Sequence, residues 1–220
     1  MNSENTPARI LIVDDHPMMR DGLATQISNE PDLAVCGEAE DVVEALQLVS
    51  ELHPDLMIID ISLKTGHGID LIKRIREHHS KMKMLVNSMY DESVYAERSL
   101  QAGAMGYLSK QTARETLITA IRTVLAGKIY LSPELIDRIV KSRVGGMIEP
   151  GKSPIENLSD RELEVMTLIG QGNTTSGIAK HLHLSVHTID TYREKLKIKL
   201  NLANSAELNR YAAQWVLENG

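Results

Sequence analysis

Up to about residue 126 the chain alternates short apolar runs rich in β-branched residues with segments whose apolar positions recur at helical spacing, and few folds accommodate that rhythm. The strand-like runs are Arg9 to Val13, Leu33 to Cys36, Leu56 to Ile59, Met84 to Asn87 and Gly106 to Leu108. Helical patterns follow them: Met19, Leu23 and Ile27; Val42, Leu46 and Val49; Ile69, Ile72 and Ile75; Val94 to Leu100, more weakly; and Leu117, Ile118, Ile121, Val124 and Leu125. The last begins with Thr112 and Glu115 at capping-box spacing. Five strands and five helices in strict alternation predict a doubly wound parallel sheet. Such a sheet binds ligands at the carboxyl ends of its strands, beside the point where strand order reverses.

Past Gly127 no further strand is predicted. A short amphipathic helix from Pro133 to about Val144 runs into a stretch, Gly145 to Pro154, whose glycines and prolines mark a flexible linker. From Leu158 the pattern is helical throughout: Asp160 to Ile169, Thr174 to Leu182, Ser185 to Leu200 and Ser205 to Leu217. Ser159 with Glu162 has capping-box spacing, Ser185 and Ser205 suit N-caps, and Gly170 and Gly172 punctuate the first turn. The expected organisation is an α/β domain over residues 8–126, a linker with a short helix over 127–153, and an all-α domain over 154–220.

Composition narrows the function. No run approaches the roughly 18 apolar residues of a membrane span, and Met1 to Pro7 lacks the apolar core of a secretory signal, so the expected address is the cytoplasm. A single cysteine, Cys36, excludes an internal disulfide and a cysteine zinc cage, and its neighbours Ala34 and Val35 suggest a small buried side chain. Aromatic residues make up 3% of the chain and phenylalanine is missing, which argues against base-stacking modules for single strands or RNA. The net charge of -6 looks hostile to nucleic acid until it is divided. Residues 1–130 hold 13 basic and 19 acidic groups, whereas residues 152–220 hold 8 of each, so the acidity belongs to the α/β part.

The predicted strand ends gather a reactive set. The first strand ends in Asp14 and Asp15, the third in Asp60, the fourth in Ser88 and the fifth in Lys110. In a parallel sheet these ends converge, and three crowded carboxylates are tolerable only beside a cation or with one group protonated. Oxygen ligands of this kind suit Mg²⁺. A carboxylate beside Mg²⁺ can attack a phosphoryl group and form an aspartyl phosphate. Asp60, ahead of the glycine-containing loop Lys64 to Gly68, is the expected acceptor. Asp14, Asp15 and the backbone carbonyl of Ser62 are the expected further metal ligands, with Lys110 and Ser88 on the phosphoryl oxygens. Taken alone, Asp14 and Asp15 ahead of Pro17 could merely cap a helix.

Ile-Val-Asp14-Asp15-His-Pro, Leu-Met-Ile-Ile-Asp60, Ser88 and Gly-Ala-Met-Gly-Tyr107-Leu-Ser-Lys110 together resemble the receiver domain of two-component response regulators, with its flavodoxin-like (βα)5 fold. The resemblance implies a sensor histidine kinase as phosphoryl donor. It also implies that Tyr107 is an aromatic switch, turning inward as Ser88 moves toward the phosphate and biasing a surface around the fourth helix, fifth strand and fifth helix. Two positions depart from the family. Lys64 replaces a usual proline and puts a cation near the pocket mouth, and Gln111 replaces the proline that often follows the lysine in a cis bond.

Thr174 to Leu182 and Ser185 to Leu200, joined by a tight turn, have the spacing of a helix-turn-helix. On the second helix Val186, Ile189, Arg193, Leu196 and Leu200 share the side expected to face the core, while His187, Thr191, Glu194 and Lys195 lie opposite. With Asn157-Leu-Ser-Asp-Arg161-Glu162-Leu-Glu164-Val165 and Leu-Ser-Val-His-Thr188-Ile189-Asp-Thr-Tyr192, this resembles the LuxR-type DNA-binding domain, and the whole chain resembles a NarL/FixJ-type response regulator. The resemblance puts Asp190, Thr191 and Glu194 toward base edges and Thr188, Tyr192, Arg193, Lys195 and Lys199 nearer phosphates. Because carboxylates accept from cytosine N4 but repel phosphate, the expectation is modest affinity, steep salt dependence and a C·G preference. Gly177, where the family usually has Glu, leaves its helix without a full capping box.

The implied function is a DNA-binding transcriptional switch, dimerising on a double-stranded operator when phosphorylated, and not a turnover enzyme. An aspartate-nucleophile phosphatase would need a second Asp where Ser62 stands, and a phosphate-independent regulator would not need the intact Asp15, Asp60, Ser88 and Lys110 set. His183 and His187 straddle a turn and make a poor metal pair, and ten methionines are better core filler than ligands.

Overall fold

Strands that are apolar on both faces need cover on both sides, and the alternation of elements supplies it. The computed structural model describes residues 6–144 and 154–219, in two units that divide between Asp137 and Arg138. The first unit holds β1 (Ala8–Val13), α1 (Pro17–Ser28), β2 (Leu33–Ala39), α2 (Val42–Leu52), β3 (Leu56–Ile59), α3 (Gly68–His78), β4 (Lys83–Ser88), α4 (Glu92–Ala102), β5 (Gly106–Ser109) and α5 (Arg114–Leu125). The strands are all parallel, in the order β2-β1-β3-β4-β5. Ile10, Leu11, Ile12 and Val13 of β1 and all four residues of β3 are buried, as a sheet covered on both faces requires. Strand order reverses between β1 and β3, so the ligand crevice falls at their carboxyl ends.

Local chemistry accounts for most helix starts. Asp41 caps α2 by accepting from the Val43 and Glu44 amides, and Asp91 caps α4 by accepting from Ser93. α4 looked weak in sequence because its buried face is made of Tyr95, Ala96, Ser99 and Ala102 rather than large aliphatics. The capping box expected from Thr112 and Glu115 is not formed. Thr112 spends its amide on the Ser109 carbonyl in a turn, α5 starts one residue later behind Ala113, and that cap has no side-chain bond. Cys36 also differs from expectation: it is only part-buried, because the β1–β2 register slips between Ile10 and Leu11 and leaves Cys36 as the extra residue on an edge strand.

After α5 the chain turns at Gly127 and runs into α6 (Pro133–Val144), which spans the division between the units. Most of the glycine- and proline-rich linker, residues 145–153, lies outside the described residues. The second unit has a short 3-10 turn (Pro154–Asn157), α7 (Asp160–Gly170), α8 (Thr175–His181), α9 (Val186–Leu200) and α10 (Ser205–Asn219). α7 is its central helix, buried at every position from Glu162 to Ile169. Gly170 does more than punctuate: a Cβ there would lie 2.4 Å from the Ala212 carbonyl oxygen, so its absence lets α7 and α10 touch backbone to backbone. Ser159 and Glu162 form the expected capping box, whereas α10 is capped by Asn204, which accepts from the Glu207 amide, rather than by Ser205. Thr174 caps α8 through the Gly177 amide, half of the usual reciprocal pair.

Gly68 fixes the loop after β3. Its amide donates to the Ile61 carbonyl at 2.7 Å, and an added Cβ would lie 2.1 Å from the Asp60 carbonyl oxygen and 2.8 Å from the Ile61 Cα. Gly68→Ala is therefore expected to cost about 3 kcal/mol, the upper range for overpacking, because backbone cannot swing aside. In a urea titration this lowers the midpoint at unchanged slope; an unchanged midpoint would mean that the loop yields.

Candidate functional site

The backbone ladder runs past the ends of the strands and carries the reactive side chains with it. The Asp14 amide donates to Ala39 O at 3.0 Å, the Asp60 amide to Val13 O at 2.8 Å and the Lys110 amide to Ser88 O at 2.8 Å. Three strand ends thus meet at one ammonium: Lys110 Nζ lies 2.6 Å from Asp14 Oδ2 and 2.6 Å from Asp60 Oδ2, with all three side chains buried. Asp60 Oδ1 accepts from the Ile61 amide at 2.7 Å, and Asp14 Oδ1 accepts from the His16 amide at 2.9 Å. Asp15 Oδ1 lies 2.6 Å from His16 Nδ1. The N-cap of α1 is His16, followed by Pro17, so neither aspartate serves as that helix's cap. Ser62 is buried and bridges to His67 across the loop that follows Asp60.

The charges do not balance. Burial, with Asp14 adding repulsion and Lys110 only partly offsetting both, pushes the Asp60 carboxyl up to about 6. Burial alone would push the Lys110 ammonium down, but Asp60 and Asp14 outweigh it and hold the group above the ordinary lysine value. One ammonium therefore meets two carboxylates, with the third, Asp15, in the same cluster. Asp14, Asp15, His16 and Asp60 present ligand atoms all within 4.8 Å of one another, and the carboxylate oxygens suit a hard divalent cation such as Mg²⁺. The residues fit the ion on donor type and on uncompensated charge.

Asp60 dictates a pH dependence. Its raised value means that the folded state keeps a proton which the unfolded chain releases above about 3.8, so this group's contribution to stability is complete below that pH and is lost as pH rises through about 6. Asp60→Asn, which cannot ionise, is expected to stabilise the metal-free protein above pH 6 by up to about 3 kcal/mol and to give no such gain below pH 4. Denaturant unfolding across that range checks it, and an equal gain at both ends would sink it.

Around this cluster the structure modifies two expectations. Tyr107 is fully buried and already turned inward: its hydroxyl donates to Tyr90 O at 2.7 Å, and burial holds the phenol far above its ordinary value. Ser88 Oγ accepts from the Tyr90 amide at 3.4 Å, so Ser88, Tyr90 and Tyr107 form one chain of contacts. Lys64 pairs with Glu40 and is largely neutralised at the mouth. Among the described residues no peptide bond is cis, so Lys110–Gln111 is trans.

In the second unit, α8 and α9 form the helix-turn-helix, with His183 in the left-handed conformation at the turn. Ser185 caps α9 by accepting from the Thr188 amide at 3.0 Å, and its hydroxyl also meets the Thr188 hydroxyl. Ile189, Leu196 and Leu200 face the core, but Val186 is half-exposed because the first turn of α9 projects beyond it. His187, Asp190, Thr191, Glu194 and Lys195 are exposed, and Thr188 and Tyr192 are half-buried on the flanks. Lys195 lies over the Tyr192 ring at 5.7 Å, and Lys197 pairs with Glu194 at 2.9 Å. Two of the cations expected near phosphates are engaged within the unit. Arg193 donates to Asn209 Oδ1 at 2.9 Å, and Lys199 Nζ holds the buried Glu162 carboxylate at 2.6 Å and the Asn157 carbonyl at 3.2 Å.

Sequence reasoning missed several participants. His16 stands in the acidic cluster, a role its place directly after Asp15 could have suggested; the carbonyl of Tyr90 and the carboxylates of Glu40 and Glu162 act through tertiary contacts that no local pattern announces.

Comparison with known proteins bears on both units. Residues 10–122 match the family described as response regulator receiver domain, and residues 156–212 match the bacterial regulatory proteins of the luxR family. The oxygen regulatory protein NreC of Staphylococcus carnosus is 36% identical over 208 residues, covering 93% of this chain and 96% of that protein. Among solved structures, a LuxR-family response regulator from Aurantimonas is 36% identical with a TM-score of 0.59, covering 63% of this chain and 99% of its own. RcsB of Salmonella typhimurium is 26% identical with a TM-score of 0.65, covering 95% and 98%. Other RcsB structures are described as bound to the promoter rprA in the presence of the phosphomimetic BeF3-, and as two dimers bound to two parallel DNAs.

Proposed function

The chain belongs to the LuxR-type two-component response regulators, transcriptional regulators rather than turnover enzymes, and from that premise we propose that Mg²⁺-dependent phosphorylation of Asp60 by a sensor histidine kinase favours dimerisation and operator binding. In this reading residues 8–126 receive the phosphoryl group, 127–153 link, and 154–220 bind DNA. The observation that carries it is the Asp60 carboxylate, buried at the strand-order reversal with its Oδ2 2.6 Å from the Lys110 ammonium that Asp14 shares.

A carboxylate oxygen of Asp60 attacks phosphorus as the P–N bond of the donor phosphohistidine breaks, and the departing imidazole keeps the electron pair and takes a proton. Held by Asp14, Asp15, Asp60 and the Ser62 carbonyl, Mg²⁺ would supply positive charge against the phosphoryl oxygens. Lys110, already charged and already in contact with Asp60, moves onto the new dianion, and Ser88 donates its hydroxyl to it. Tyr107 keeps the space that Ser88 leaves closed to water. No helix of the described residues is long and apolar enough to cross a membrane.

On DNA, α9 enters the major groove with Asp190, Thr191 and Glu194 toward base edges and Thr188, Tyr192, Arg193 and Lys195 toward phosphates. Lys199 serves the interface through Glu162 and the 3-10 turn as much as by its own charge. RcsB supports the dimeric, DNA-bound arrangement by analogy.

Incubation with Mg²⁺ and acetyl phosphate is expected to add one phosphoryl group to the wild type and none to Asp60→Asn, with a shift toward dimer only in the former. Equal labelling of the mutant, or labelling without Mg²⁺, would refute the assignment. For the DNA face, selection from a random-sequence pool is expected to enrich C·G pairs, and Asp190→Ala is expected to erase a discrimination of about 1–3 kcal/mol at one position. A preference unchanged by Asp190→Ala would remove that residue from base reading.

A further inference from the structure

β5 is an edge strand, and the chain covers that edge with itself. After α5 the backbone turns at Gly127 and returns along β5, where Gly106 and Tyr130 form a parallel bridge. The Tyr130 amide donates to Met105 O at 2.9 Å, and the Tyr107 amide donates to Tyr130 O at 3.2 Å. Gly106 permits this approach, since a Cβ there would lie 2.8 Å from Tyr130 O. Two residues on, Ser132 Oγ donates to Glu92 Oε1 at 2.5 Å and accepts from the Leu135 amide at 3.2 Å. Ser132 thus touches the first turn of α4 and opens α6, where Leu135 is buried.

Covering an edge strand requires only the backbone bonds. The Glu92 contact goes further, because Glu92 lies four residues after Ser88 on the segment that also supplies Tyr90 O to the Tyr107 hydroxyl. Residue Tyr107 is therefore gripped twice, by Tyr90 at its phenol and by Tyr130 at its amide, and the segment carrying Ser88 grips both Tyr107 and Ser132. A displacement of Ser88 toward Asp60 cannot leave residues 130–132 untouched.

We propose that Tyr130, Ser132 and Glu92 are coupling residues: residues 128–132 form a strap that passes the state of the Asp60 pocket, through Tyr107 and the first turn of α4, to the start of α6. The strap acts by position; none of the three touches the phosphoryl group. α6 then runs into the chain that leads to the DNA-binding unit. This inference rests on phosphorylation of Asp60.

The test uses the full chain with Mg²⁺ and acetyl phosphate, and reads phosphoryl gain by mass, amide exchange at Tyr107 and Tyr130, and affinity for a duplex selected by the wild type from a random-sequence pool. In Ser132→Ala, the Tyr130 amide is expected to exchange roughly ten- to a hundredfold faster, the loss typical of a hydrogen bond to a charged acceptor. Phosphoryl gain is expected to be unchanged, with the phosphorylation-dependent change in exchange confined to Tyr107 and the affinity gain largely lost. Ser132→Thr, which keeps the hydroxyl, restores both, whereas a general loss of structure would not be selective for the response. A Ser132→Ala protein that is phosphorylated and keeps the full change at Tyr130 and the full affinity gain would overturn the strap. Absence of the phosphoryl group in the wild type would overturn the reading beneath it, and the mass measurement tells the two failures apart.

Discussion

One buried ammonium organises the first unit. Lys110 brings the ends of β1, β3 and β5 to a single point, buried with Asp14 and Asp60. Taking charges out of water is expensive, and attraction within a buried cluster repays it only when every charge is matched. Here it is not, so the folded state carries a standing demand that a proton on Asp60 or an external cation must meet. A stable core would be better served by aliphatic residues at these three positions. Their presence is intelligible as the arrangement of a site whose ground state is meant to be changed by a ligand. The surrounding structure is correspondingly stiff: both faces of the sheet are filled, and the loop after β3 is pinned by Gly68 and by the Lys64–Glu40 pair.

The second unit uses charge differently. Its buried acids are matched one to one: Glu164, fully buried, meets Arg161, which also donates to the Leu182 carbonyl, and Glu162 meets Lys199. These pairs join α7 to the helix-turn-helix and set where α9 stands. Electrical neutrality of residues 152–220 therefore hides a division of labour, in which some cations frame the helix and others, such as Lys195 on the Tyr192 ring, remain at its surface.

How much of this could be read in advance follows from the range of the interactions. The strands and most helices were legible because burial on two faces, or on one stripe, leaves a period in the sequence, and the reactive residues were legible because parallel strands must end together. Strand ends of β2, β4 and β5 run one to three residues further than the apolar runs suggested, since backbone pairing does not stop where hydrophobicity does. The failed Thr112 cap and the displaced Asn204 cap show that several polar residues near a helix start compete, and the winner depends on the preceding turn. The part-exposure of Cys36 and Val186 and the Glu162 partner of Lys199 escape the sequence for another reason. An edge bulge, a projecting helix end and a partner 37 residues away are properties of the assembled fold and leave no local trace.

The closed edge of β5 has a consequence for how copies of the chain can meet. A sheet grows when a free strand edge recruits another, which is a route from a folded unit to an aggregate. On one side that route is blocked by the Tyr130 segment, and on the other β2 is broken by its bulge and carries Glu38 in an ion pair with Arg20. With both borders of the sheet blunted, the elements this unit leaves open to another copy are its helical faces. Those can be tuned by charge and shape to open and close reversibly without opening a path to fibres.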